Sequence, residues 1–329
     1  MHYGDPAPTR RCLDSLTGID EIVLVDQPPQ RFGDDPRLTV RIAPDENIGF
    51  AAGCNRGVAD TDAPFVLLLN NDAFLAAGAL DAIRSAMAAF PADVAGACLK
   101  ILCTDVRTIQ SAGGLWFTRD CIGFPHGFGD IDRGQYDSLG DDEIGVPSGA
   151  GAVFRTSAWR DVGGMREEFF CYCEDGDVGL RLVACGYRFA WLPSAIVLHE
   201  LSSSTAAHSQ LKAYLVERNH FATMIHVATA STLAAFPFWT LARLARTGMD
   251  ALRGRGAGAA FAQTSRPVAL AKVIARAWLG ALRMAPGAAS VRRELRRRSP
   301  QAIERVRRFV EARRVLWPDF AMSRDSGRH

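Results

Sequence analysis

The chain has 329 residues and a mass of 35.7 kDa, with 48% hydrophobic and 22% charged residues. That composition is ordinary for a globular protein and excludes a fibrous or disordered chain. The length suits one large α/β domain with an appendage. The net charge of +2 hides an asymmetry: residues 241–329 carry 20 Lys and Arg against 6 Asp and Glu, whereas the rest carries 18 basic and 30 acidic residues. An acidic body with a basic tail predicts that the tail meets an anionic surface, phospholipid or nucleic acid. No nucleic-acid-binding motif accompanies the arginines, so phospholipid is the expected partner and nucleic acid is not. The eight cysteines form no C-x-x-C pair and sit among apolar neighbours, as buried free thiols do. No signal peptide opens the sequence, which predicts a reducing, cytoplasmic setting.

In chain order, a helix is expected near residues 9–16 and an apolar strand over 21–25, ending at Asp26. Residues 47–57 read as a loop entering a helix, with small residues that allow close backbone approach. Phe65-Val66-Leu67-Leu68-Leu69 reads as a strand buried on both faces, and an Ala-rich helix follows over 76–89, before Pro91. This β-α-β-α alternation predicts a largely parallel sheet with helices on both faces. Residues 111–142 are rich in Gly and Asp and read as long loops around a site. A strand near 147–154, a short helix from Thr156 and a turn at Gly163-Gly164 come next. A helix then runs from Glu174 to Cys185 and stops at Gly186. Strands are expected at 187–190 and 195–198, ending at His199. Residues 221–242 lack Asp, Glu, Lys and Arg. Pro237 and the dominance of Ala make an interfacial amphipathic segment the better reading than a membrane span. The last helix is expected to start at Ser299-Pro300, an N-cap and N1 pair, and the Arg-rich run 292–298 equally reads as a solvated face.

The chemistry-bearing residues stand at predicted strand ends and one helix start. In open α/β sheets ligands bind beyond the carboxyl ends of the strands. There Asn70-Asn71-Asp72 offers oxygen ligands suited to a hard divalent cation, which would hold a diphosphate. Taken alone it is an Asx turn, just as Glu174, Asp175 and Asp177 alone are helix-capping acids and His199 alone is a strand-end histidine. Four such positions (Asp26, Asp72, Glu174-Asp175 and His199) in one α/β unit form a pattern that these separate readings do not cover.

The ordered segments Glu21-Ile-Val-Leu-Val-Asp26, Asn47-Ile-Gly-Phe-Ala-Ala-Gly-Cys-Asn-Arg-Gly57 and Phe65-Val-Leu-Leu-Leu-Asn-Asn-Asp72 resemble the inverting family 2 glycosyltransferases of GT-A fold, in particular the rhamnosyltransferase-like branch. So do Gln110-Ser-Ala-Gly-Gly114, Gly149-Ala-Gly-Ala-Val-Phe-Arg155, Val162-Gly-Gly-Met-Arg-Glu-Glu-Phe-Phe170 and Glu174-Asp-Gly-Asp-Val-Gly-Leu-Arg-Leu182, followed by His199. The resemblance, which covers roughly residues 3–205, implies a Rossmann-like, mostly parallel sheet with helices on both faces over residues 1–205, and the charge pattern beyond it predicts a helical, basic, membrane-associating extension over 206–329. It implies that Asp26, Gly49, Asn55, Asn70, Asn71 and Asp72 bind the nucleotide-sugar, and that Asp72 and His199 hold Mn²⁺ or Mg²⁺. Asp175 is then the general base, with Glu174 beside it placing the acceptor.

Two departures accompany the resemblance. The chain begins where the family's first strand would end, which fits a start assigned too far downstream or a truncated protein. Gln27-Pro28-Pro29 follows Asp26 where relatives have Asn-Gly-Ser. The expected activity is transfer of a sugar from a nucleotide-sugar donor, dTDP-rhamnose by branch resemblance, to a hydroxyl of a cell-surface glycan or lipid-linked acceptor. It would take place peripherally on the inner face of the cell membrane. The alternative is a truncated, non-catalytic relative acting as a membrane-associated scaffold in glycan assembly.

Overall fold

The computed structural model describes residues 1–200, 210–253 and 267–315. Two compact units divide the chain. The first takes in Met1–Leu115, Pro125–Leu182 and residues from Tyr187 onward to 200; the second takes in Trp116–Phe124, Val183–Gly186 and the described residues beyond 209. The expected boundary at 205–206 lies outside the described residues.

In the first unit, helix α1 (Pro6–Asp14) starts on Asp5, whose carboxylate accepts from the Ala7 N–H at 2.9 Å, with Pro6 filling a position that needs no donor. Strands β1 (Val23–Val25) and β2 (Val40–Ile42) pair in parallel. His2 forms a parallel bridge with Asp26, its N–H donating to Val25 O at 2.8 Å. Helix α2 (Gly49–Ala59) follows, and then β3 (Phe65–Leu69), β4 (Ala73–Leu75), α3 (Ala79–Ala89), β5 (Val94–Cys103) and β6 (Ile109–Ser111). Short strands β7 (Leu115–Phe117) and β8 (Gly123–Pro125) lead to β9 (Gly151–Arg155), α4 (Thr156–Asp161), α5 (Glu174–Cys185) and β10 (Arg188–His199).

The larger sheet has the order β3-β9-β5-β10-β4, with β6 paired to β5. Strands β5 and β10 run parallel, whereas β9 lies antiparallel between β3 and β5 and β4 antiparallel to β10. The pairing is therefore mixed rather than mostly parallel. β9 enters after the long 111–150 excursion rather than through a helical crossover, which frees it from the parallel direction. The two expected strands at 187–190 and 195–198 are one, β10, with a register shift between Leu192 and Ile196. The core packs Ile83 of α3 against Leu99, Ile101, Val153 and Val197 of the sheet. Contrary to expectation, all five residues of β3 are only half-buried.

The second unit is helical apart from its strand-end residues: α6 (Gln210–Val227), α7 (Ala230–Leu252), α8 (Pro267–Arg298) and α9 (Ala302–Ala312). Among the described residues no helix is long and apolar enough to cross a membrane. The last helix starts at Ala302 with Gln301 in the cap position, three residues beyond the expected Ser299 cap. Ser299 Oγ instead accepts from the Gln301 N–H at 3.3 Å. A buried ion network ties this unit together. Arg243 forks onto Glu217 at 2.9 Å through both Nη atoms, and its Nε donates to Asp120 at 2.7 Å. Thr118 and Thr240 hydroxyls complete the Asp120 carboxylate at 2.7 and 3.2 Å. Burial alone would raise both carboxyls, but Arg243, helped by His220, holds them below the usual range.

Candidate active site

The carboxyl ends of β3 and β10 bring Asn70, Asp72 and His199 together. Pairing of β4 with the end of β10 sets Ala73 opposite His199, and the Glu200 N–H donates to Asp72 O at 2.9 Å. His199 Nε2 lies 3.2 Å from Asp72 Oδ1 and 3.4 Å from Asn70 Nδ2. Asp72 is 4% exposed.

The imidazole is oriented by a residue on β6. Gln110 Nε2 donates to His199 O at 2.6 Å, which turns its Oε1 toward His199 Nδ1 at 2.8 Å. Nδ1 therefore carries a proton and donates it to Gln110. Nε2 is thus the ring atom that faces the Asp72 carboxylate, and with its lone pair free the two electron-rich atoms attract a positive charge between them. This donor set fits a hard or borderline divalent cation. One carboxylate and one imidazole from the protein leave the remaining positions for phosphate oxygens and water, the pattern of cations held jointly with a substrate diphosphate. Among the described residues no group of three or more His, Cys, Asp or Glu forms a closed metal cage.

Glu174 and Asp175 open α5 at the end of an unusual turn. Phe170, Tyr172 and Cys173 have φ of 65°, 70° and 65°, in the left-handed region. The Cys171 N–H donates to Phe169 O at 2.7 Å across Phe170, a γ-turn of the strained hand. Phe170 O accepts from the Phe50 and Ala51 N–H groups at 2.6 and 3.2 Å, capping the start of α2. A Cβ on Gly49, whose φ is +82°, would meet that same oxygen at 2.5 Å. Gly49 is thus required for the two segments to close on each other.

Asp175 is half-buried; its Oδ2 accepts from the Gly149 N–H at 2.9 Å and its Oδ1 from the Gly176 N–H at 2.7 Å. Burial raises its carboxyl above the ordinary range, partly offset by those amides. The next residue along, Ala150, accepts from the Asn70 N–H at 3.2 Å. Two successive residues thus tie the Asp175 carboxylate to the Asn70-Asn71-Asp72 loop. Glu174 is 5% exposed, and among the described residues its Oε2 has no hydrogen-bond partner. Burial, reinforced by the Asp175 charge, pushes it up to about 8, so at neutral pH the pair carries mainly one negative charge. Asp177 has a different task. It is fully buried and grips Arg181 at 2.7 Å, while Arg181 donates to Val162 O and Gly164 O at 2.6 and 2.7 Å. That bridge pins the Gly163-Gly164 turn to the helix.

The remaining sequence-derived residues lie elsewhere. Asp26 is fully buried and accepts from the Phe32 and Gly33 N–H groups at 2.8 and 3.2 Å and from Arg41 Nε at 2.8 Å. Burial opposes its charge, yet these donors hold it below the usual carboxylate range. Its carboxylate organises the 31–41 loop. Asn55 uses its Nδ2 on Met165 O (2.7 Å) and Glu167 (3.1 Å), and its Oδ1 on the Met165 N–H (2.9 Å). Both ends of the amide are engaged with the 165–167 turn. Asn71 donates to Thr9 Oγ1 at 3.2 Å, toward α1. Gln110 and Gly149 stood inside recognised segments without an assigned role. The contacts that give them one come from strand register, which local sequence does not display.

Comparison with known proteins gives the fold and the family. A structure of S. aureus TarS 1-349 in complex with UDP-GlcNAc is similar, with a TM-score of 0.51 at 14% identity over 92% of this chain and 87% of that one. The mannosyltransferase PcManGT from Pyrobaculum calidifontis, in complex with GDP-Man and Mn²⁺, gives a TM-score of 0.47 at 16% identity over 92% and 85% of the two chains. A curated relative, N-acetylglucosaminyl-diphospho-decaprenol L-rhamnosyltransferase of Mycobacterium tuberculosis, is 44% identical over 62 residues, 19% of this chain. That match spans 20%, about a fifth, of the relative's own length. The fold is GT-A, and residues 65–248 match the family described as glycosyl transferase family group 2. With more than half of its length matched by that family, the chain belongs to the family 2 glycosyltransferases.

Proposed function

We propose that the protein transfers a sugar, with inversion at the anomeric carbon, from a nucleoside-diphosphate donor to a hydroxyl of a glycan or lipid-linked acceptor. The observation that carries this reading is the tie between two groups. The Asp72–His199 pair, with its tautomer fixed by Gln110, is joined through Gly149 and Ala150 to the Asp175 carboxylate. Asp72 and His199 would hold Mn²⁺ or Mg²⁺, with Asn70 alongside. When bound, that cation neutralises charge developing on the leaving diphosphate.

The chain's own residues do the rest. Asp175 accepts the proton of the acceptor hydroxyl as the new C–O bond forms at the anomeric carbon and the bond to the diphosphate breaks. Its raised proton affinity suits a base working near neutral pH. Glu174, protonated and with a free oxygen, places the acceptor. Asp26 and Gly49 shape the nucleoside side by ordering the 31–41 loop and the entry to α2, and Asn55 and Asn71 act through the turns they hold. Residues 1–205 form the transferase domain and 206–329 a basic extension that lies on an anionic membrane surface, on the cytoplasmic side. The TarS complex with UDP-GlcNAc supports a nucleotide-sugar donor. The curated relative's name supports dTDP-rhamnose as the first donor to test and a lipid-linked acceptor.

Calorimetric titration of UDP, dTDP and GDP into the chain, with and without Mn²⁺, tests the reading. Metal-dependent binding of one nucleotide, abolished in Asp72→Asn, is the expected result. Absence of binding by any of them in the presence of metal would overturn it in favour of a non-catalytic scaffold.

A further inference from the structure

The exposed side of α7 bears an apolar stripe and a basic cleft that the transferase chemistry does not use. Ala234, Phe238, Leu241, Ala245, Met249 and Leu252 are all exposed, the larger four at 64%, 58%, 50% and 90%. At 100° per residue these six positions fall within an arc of about 80° of the helix. Ala230, Ser231 and Gly248 are the other exposed residues within about 20° of that arc, and none of the nine is charged.

At the start of the same helix, a cavity of about 270 Å³ is lined by Arg119, Ser231, Thr232, Ala235, Trp239 and Arg314. The exposed Arg119 guanidinium stacks over the Trp239 ring at 4.3 Å and meets no carboxylate among the described residues. Among the described residues the carboxylate that Arg314 Nη2 meets is Glu311, at 3.9 Å, and its buried Nε has no hydrogen-bond partner. Two under-compensated guanidiniums beside two hydroxyls recognise a phosphate. An uncharged apolar stripe leading away from that cleft covers hydrocarbon.

We propose that α7 is a lipid-binding element that takes an anionic phospholipid of the bilayer. The phosphate sits between Arg119 and Arg314, and Phe238, Leu241, Met249 and Leu252 dip into the acyl region of the bilayer. This deepens the membrane-surface part of the proposed function by naming the face and the headgroup chemistry, and it rests on that part alone. The helix lies in the interface rather than across it, which accords with the lack of any spanning helix among the described residues. Arg246 and Arg253 near its other end add attraction for the same surface.

The test is co-sedimentation of the full chain with vesicles of phosphatidylcholine alone, or with about a third phosphatidylglycerol. Binding is expected only with phosphatidylglycerol and should weaken as salt rises. Phe238→Ser combined with Leu241→Ser should weaken it about tenfold or more. Arg119→Gln and Arg314→Gln should each weaken it about fivefold, with Arg→Lys at the same positions restoring most of the loss. Equal binding to both vesicles, or to neither, would overturn the proposal. So would a double serine variant that binds as the wild type does while inorganic phosphate competes fully, which would mark a site for a soluble anion. The nucleotide titration run on the same variants reads the transferase site separately. Nucleotide binding without vesicle binding sinks only the lipid site, and vesicle binding without nucleotide sinks only the transferase reading.

Discussion

Replacing Glu174 by Gln tests the electrostatics of the carboxylate pair directly. Burial and the Asp175 charge raise Glu174 from its ordinary 4.5 to about 8 in the folded protein. A carboxyl raised in the folded state contributes stability that is complete below the unfolded value and is lost as pH climbs through the folded one. Between those limits the unfolded chain ionises freely and the folded chain does not. Integrating over the shift, the wild type forfeits about 1 kcal/mol at pH 5, about 3 at pH 7 and about 5 at pH 9. Gln has nearly the same shape and no proton to lose. Glu174→Gln should therefore gain on the wild type as pH rises, approaching those differences, and show almost none below pH 4.5. Urea denaturation of both proteins at the three pH values, with equal slopes, measures the gap as a shift in midpoint. Effects of other titrating groups cancel in the difference. A gap that stays constant or narrows with rising pH would refute the assignment of a protonated Glu174 and with it the single-charge description of the pair.

Asp175→Asn should lower the rate of sugar transfer by about 10²–10⁴ and leave the nucleotide dissociation constant unchanged, read by steady-state kinetics beside calorimetry. Gln110→Leu removes the acceptor that fixes His199, and the Mn²⁺ concentration for half-maximal nucleotide binding should rise about 10–100-fold. Unaltered metal dependence would mean that His199 holds its tautomer by other means. Arg243→Met strands Asp120 and Glu217 in the interior of the second unit and should cost about 3–5 kcal/mol in chemical denaturation. Neutralising both acids at once in that background should recover much of the loss, whereas a deficit unchanged by neutralisation would argue against the ion network as its cause.

Much of the site was legible because its residues follow strand ends and helix starts that local pattern marks well. Phe65–Leu69 ends where expected, and α5 begins at Glu174 and stops before Gly186, whose φ is +96°. The pairing of His199 with Asp72 depends on β10 lying between β5 and β4, a register set 127 residues apart. No window of sequence carries that. The same holds for Gln110, whose importance is its place opposite the end of β10, and for Gly149, which is one more small residue until its N–H is found on Asp175. Asn55 shows the converse: a polar residue in a motif says that a hydrogen bond is needed there, and only the fold names one partner, the backbone of Met165.

The half-buried state of β3 has a cause that points to one further change. Strands β1 and β3 belong to separate sheets among the described residues, and a cavity of about 310 Å³ is lined by Val23, Leu24 and Val25 on one side and Val66, Leu67 and Leu69 on the other. A five-residue apolar run is read from sequence as buried on both faces because such runs usually have a strand on each edge. Here the hollow takes the place of one neighbour, and its lining loses contacts that packing would supply. Gly57 of α2 borders the same cavity. A Cβ there would meet Val25 Cγ2 at 3.6 Å and Val23 Cγ1 at 3.9 Å, ordinary van der Waals distances, and its φ is not in the left-handed region. Gly57→Ala should therefore stabilise the chain by about 1 kcal/mol, from helix propensity with a small filling term added. Gly49→Ala in the same helix is the contrast, since it faces Phe170 O at 2.5 Å with φ of +82° and should destabilise. Denaturant midpoints of the two variants should move in opposite directions. If Gly57→Ala lowers the midpoint, the β1–β3 hollow is occupied by packing that this description leaves out, and the half-exposure of β3 needs another explanation.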